Sequence, residues 1–111
     1  MAWQDDLRSR FPDWQTEADQ ARWPGVKAAL QVGSAVAGEV VSRAPFGVWL
    51  DIGVAFPALL MVTNMHGAKL RRILFVDYPA IGTRIEGTIN TLGNRGEIGI
   101  AESDGIGLTK P

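Results

Sequence analysis

At residue 32 the spacing of apolar residues changes from three and four to two, and no single kind of secondary structure accommodates both. Upstream, Trp3, Leu7, Phe11, Trp14, Ala18, Ala21 and Leu30 recur among polar and charged residues at the helical interval. The run is broken at Pro12 and again at Trp23-Pro24-Gly25, which predicts two or three short helices. Downstream, Val36 and Val40 alternate with Ala35, Ala37 and Glu39, and Val48, Leu50 and Ile52 alternate with Gly47, Trp49 and Asp51, the period of half-buried strands. Further strands are expected at Ala58 to Val62, Arg84 to Leu92 and Glu97 to Ala101, which makes five. Turn residues separate them at Ala44-Pro45, at Gly53 and at Leu92-Gly93-Asn94-Arg95-Gly96, the last reading as a hairpin loop. The connection from Thr63 to Ala80 is long, and its Leu70 to Val76 stretch suits either a helical turn or a short extra strand.

The chain therefore divides into a helical N-terminal extension at 1–31, an all-β domain at 32–102 and a short, Gly-rich, flexible tail at 103–111. A length of 111 residues, 46% of them hydrophobic, supports one core and not two. The order of apolar residues and glycines from Val32 to Val40 is echoed from Ile81 to Ile89. Two copies do not make a repeat array. Two strands of one closed sheet, each entered through a Gly turn and each bending sharply at an interior Gly, account for the echo.

Several kinds of chemistry lack their residues. There is no cysteine, which removes disulfides, thiolate metal sites and a cysteine nucleophile, and fits a cytoplasmic setting. His66 is the one histidine and reads as a turn residue, far short of a zinc site. Ser9, Ser34, Ser42 and Ser103 stand in no nucleophile motif, and no carboxylate pair is placed for acid–base work. The stretches at Gly93 to Gly96 and Gly105 to Gly107 are not phosphate loops leading into a helix. The chain begins with neither a basic segment nor an apolar run, so a signal peptide and a membrane span are not expected. A protein without enzymatic machinery or cofactor follows. The net charge is −1, and from residue 32 onward basic and acidic residues are equal in number, so a basic face could arise only by segregation.

Five segments, in order, closely resemble the S1 domain family: Val32-Gly33 through Gly38-Glu39-Val40-Val41, Phe46-Gly47-Val48-Trp49-Leu50-Asp51-Ile52, Ala58 to Val62, Ile81 to Ile89 and Glu97 to Ala101. The resemblance implies a five-stranded OB barrel that binds single-stranded RNA on one face through stacking aromatics and a basic groove. Phe46 and Trp49 stand at the family's two aromatic positions. Alternation turns Val48 and Leu50 inward and Trp49 outward, whereas Phe46 sits at a strand entry and could equally plug the barrel. Met61 replaces the usual histidine of the third strand, Glu97 an arginine, and Gly93 a frequent acid.

The expected RNA-binding set is Phe46, Trp49, Met61 and Arg95, with Lys69, Arg71 and Arg72 as phosphate contacts, joined by Arg43 and Arg84 if the barrel brings them to one side. The alternative, to which Glu97 points, is a protein-interaction barrel whose surface around Trp49 and Met61 packs on a partner. The extension, with three tryptophans that need burial, either covers an open end of the barrel or serves as a partner-binding arm. If it covers the binding face instead, the protein inhibits itself.

Overall fold

The structure, a computed structural model, describes residues 3–68 and 70–102. Lys69 and the expected tail at 103–111 lie outside the described residues. Three short helices, α1 (Trp3–Arg10), α2 (Glu17–Gln20) and α3 (Trp23–Ala29), precede five strands: β1 (Ala35–Ala44), β2 (Gly47–Asp51), β3 (Ala58–Met61), β4 (Arg84–Leu92) and β5 (Ile98–Ala101). The strands close into a barrel in the order β1-β2-β3-β5-β4, all pairs antiparallel except β3 with β5. The period of two has its cause in this closure: Val40, Val48, Leu50, Leu60, Ile89 and Ile100 point inward and are completely or almost completely buried.

Within α1, Asp5 and Asp6 occupy the first turn and Arg8 and Arg10 the last, matching the helix dipole, and Pro12 prevents continuation. Thr16 caps α2, its hydroxyl accepting from the Asp19 amide at 3.3 Å. The Trp23-Pro24-Gly25 motif opens α3 and does not end a helix, because a proline in the first turn gives up no hydrogen bond. Trp23, 2% exposed, closes one end of the barrel: its ring meets Phe56 at 5.0 Å, and its indole N–H donates to the Gly93 carbonyl at 2.9 Å.

The echo between Val32–Val40 and Ile81–Ile89 is a local two-fold. Strand β1 pairs with β4 about the Ala37↔Glu86 position, so that Val36↔Gly87 and Gly38↔Ile85 are equivalent pairs. The Gly33 amide donates to the Ile89 carbonyl and the Gly82 amide to the Val40 carbonyl, each at 2.8 Å, from glycines at φ 95° and 94°. A Cβ on Gly38 would lie 2.8 Å from the Asp51 carbonyl oxygen, and one on Gly87 2.8 Å from that of Ala101. The relation extends into the neighbouring strands. Val40↔Leu50 and Ser42↔Trp49 are matched by Ile89↔Ile100 and Thr91↔Gly99, with a bulge at Val41 in one hairpin and at Asn90 in the other. Only β3, wedged between β2 and β5, breaks it.

Among its described residues the long connection contains no additional strand; it carries 3-10 turns at Val62–Asn64 and Phe75–Asp77. Arg43 holds it to the barrel, donating to the Phe75 carbonyl at 2.8 Å with its guanidinium 4.6 Å from the Phe75 ring centroid. Tyr78 does the same from the other side, its hydroxyl donating to the Pro45 carbonyl at 2.8 Å, and its burial raises the phenol pKa while Arg43 opposes the rise.

Candidate nucleic-acid interface

Outward positions of neighbouring strands line up across the barrel as a belt, Ser42–Trp49–Leu59–Gly99–Thr91, fixed by the register of β1, β2, β3, β5 and β4. Trp49 stands second in it, between Ser42 and Leu59, and points outward as alternation requires, between buried Val48 and Leu50. The belt is half covered. Leu7 and Phe11 of the extension bury against Val41, and Trp3 and Trp14 flank the same cluster. The Trp3 ring lies over Trp49 with centroids 6.3 Å apart and planes at 21°, and meets Phe46 edge-on at 5.3 Å. At the far end of the belt the Ser42 hydroxyl donates to the Trp3 carbonyl at 2.6 Å. Arg10 fastens the end of α1 through Asp51 at 2.7 Å and Glu39 at 3.5 Å, and this pairing, led by the Asp51 hydrogen bond, raises its pKa further.

The other half of the belt is open. A groove of about 220 Å³ runs over Leu59, Gly99 and Thr91 between Trp49, Met61 and the β4–β5 hairpin, with Trp14 at its margin. Gly99 makes its floor, since a Cβ there would come within 2.7 Å of the Asn90 amide oxygen. Two buried polar atoms belonging to its lining residues, Trp49 Nε1 and Asn90 Oδ1, have no hydrogen-bond partner among the described residues.

Of the residues expected from sequence, Phe46, Trp49 and Met61 come together on this face, Phe46 36% and Met61 44% exposed. Phe46 therefore does not plug the barrel. The arginines do not join them. Arg71 and Arg72 line a separate depression with Pro45, Thr63 and Phe75, and Arg71 pairs with Asp77 at 3.7 Å. Arg43 is spent on the long connection, and Arg84 pairs with Glu86 at 3.6 Å. Arg95 stands in the hairpin loop that the extension grips: Gln20 donates to its carbonyl at 2.9 Å, and Lys27 to Asn94 Oδ1 at 3.0 Å.

Glu97 has a local structural partner. Its carboxylate accepts the Arg95 amide at 2.8 Å and occupies the space a Cβ on Gly93 would need, so the departures at 93 and 97 are one arrangement. Sequence reasoning also passed over Asn90 and Gly99. Asn90 continues the polar positions of Glu86 and Thr88 and so gave no signal; the glycine inside β5 was the one available.

A closed five-stranded OB barrel whose outer belt is half covered by its own N-terminal helix is the class this arrangement defines. No family model matches the chain, and no curated protein matches it. Among solved structures it is similar to GSP13 from Bacillus subtilis (16% identity, TM-score 0.52, 65% of this chain and 55% of that one). It also resembles an uncharacterized protein from Methanocaldococcus jannaschii (15%, 0.53, 66% and 92%). The alpha subunit of aIF2 from Pyrococcus abyssi is a third such structure (14%, 0.55, 65% and 28%). The match thus spans just over half of the Bacillus protein and under a third of the Pyrococcus subunit. The resemblance read from residues 32–102 holds at the level of the fold. Among the described residues no helix is long and apolar enough to cross a membrane.

Proposed function

We propose that the protein is a non-enzymatic, cytoplasmic module that binds single-stranded RNA across the outer belt of its barrel. The observation that carries this reading is the open half-belt, in which an aromatic ring borders a groove whose lining residues hold a buried donor and a buried acceptor without partners among the described residues. A flat indole stacks on any base, worth about 1–3 kcal/mol per base. Phosphate contacts would fall to Arg71 and Arg72 in the neighbouring depression and to Arg95 at the hairpin, with Lys69 joining them on the sequence reading alone. With so few cations gathered near the groove, stacking contributes more than charge, and the salt dependence is shallow. Titration with fluorescent single-stranded RNA homopolymers at low and physiological salt tests the proposal. Binding that Trp49→Ala removes supports it, and no binding at either salt overturns it.

A second reading is favoured by one further observation. Leu70 and Val76 are 84% and 82% exposed, and Leu74 and Phe75 about half, so the long connection presents an apolar surface of the kind that docks on a protein. Such docking would be insensitive to salt and to Trp49→Ala.

A further inference from the structure

We infer that the groove over Gly99 is a pocket for one unpaired base of the bound strand, held by polar contacts to Asn90 and Trp49 and walled by Trp14 of the extension. This rests on the RNA-binding reading above and adds where a base is held and by which atoms. The local two-fold supplies an internal comparison. The bulge of the first hairpin holds Val41, which is apolar and buried under Leu7 and Phe11. The equivalent bulge of the second hairpin holds Asn90, whose amide oxygen is buried and unpaired. Next to each bulge stands a hydroxyl: that of Ser42 donates to the Trp3 carbonyl, and that of Thr91 lies at the open groove. Trp49 on β2 is matched on β5 by Gly99, so a ring on one side corresponds to a space on the other.

A buried amide oxygen without a donor costs free energy that packing alone has no reason to sustain. Trp49 Nε1 is in the same condition, and both residues line one groove with apolar walls from Leu59 and Met61. The ligand that fits is flat, apolar on its faces and carries a donor and an acceptor on its edge. That is the chemistry of a nucleobase, and the groove's size admits one ring system and not a stacked run.

The full chain is titrated with hexaribonucleotides of each base and with the matching nucleoside monophosphates, following affinity and the Trp49 indole N–H resonance. Expected are hexamer binding that shifts this resonance, a roughly fivefold weaker affinity for Asn90→Ala, and a roughly tenfold weaker one for Trp14→Ala. Retained dispersion of the amide spectrum shows that either variant is folded. Hexamers that bind wild type and both variants equally, without moving the Trp49 resonance, overturn the pocket and leave RNA binding standing. A monophosphate that binds as tightly as its hexamer overturns the attachment of the base to a strand. No hexamer binding even at low salt overturns the pocket and the RNA reading together.

Discussion

Trp3 lies over Trp49 at 6.3 Å with the two planes only 21° apart, where a stacked base would lie against the same indole. Under the proposed function the extension would compete with RNA for the covered half of the belt. Trp3→Ala should strengthen single-stranded RNA binding severalfold while lowering stability by about 0.5–1.5 kcal/mol. Parallel RNA titration and urea denaturation measure the two effects, and an affinity unchanged in the variant would mean that α1 does not stand in the strand's way. Removing all of 1–31 is a poor version of this experiment, because it also takes Trp23 out of the barrel core.

Arg10 is the electrostatic tether of that cover. Its partners Asp51 and Glu39 are on the barrel and the group is well exposed, so the attraction is screened by salt. Arg10→Ala should speed amide exchange in α1 at low ionic strength, with the difference shrinking at 1 M salt. Equal exchange in wild type and variant at low salt would show that apolar packing alone holds the helix.

Gly93 and Glu97 should behave as a coupled pair. A Cβ on Gly93 would sit 2.9 Å from the Glu97 Cβ and closer still to its carboxylate, so Gly93→Ala is expected to cost about 1–3 kcal/mol. In a Glu97→Ala background the same change should cost less, with a coupling of about 1 kcal/mol in a double-mutant cycle. Additive costs would mean that the side chain of Glu97 does not occupy that space.

Tyr78 sets an alkaline limit. Burial raises its pKa above the ordinary 10.0, so the folded state binds the phenolic proton more tightly than the unfolded chain does. The resulting stability is complete below pH 10 and is lost as pH rises through the raised folded value. Tyr78→Phe should cost about 1 kcal/mol at neutral pH through the lost bond to Pro45 and should flatten the decline above pH 10. Denaturation midpoints from pH 7 to 11 decide it; parallel curves would count against a role for this phenol.

The barrel was legible because alternation reports directly on burial: Val48, Leu50, Leu60 and Ile100 had to face inward once a sheet was assumed. The stripe of Trp3, Leu7, Phe11 and Trp14 was legible as a helix face, but a stripe carries no address, and either the barrel end or its side would have buried it. The structure buries this stripe on the side, while Trp23, outside the stripe, closes the end. Glu97 read as a charge facing RNA because the hairpin's inner geometry, which turns it toward the Arg95 amide, depends on a bend no pattern records. The segment from Leu70 to Val76 gave no period because its apolar residues are largely exposed and answer to no face.

The two-fold relating the β1–β2 and β4–β5 hairpins means that the barrel offers the same seat twice. One seat is taken by the chain's own helix, and the other was left with polar furniture and an empty floor. An incoming strand that settles at Asn90 would lie directly beside the occupied seat, with Trp49 as the shared armrest. Lengthening the strand by a few nucleotides would then carry it into Trp3, so affinity should stop rising with oligonucleotide length at that boundary until the helix yields.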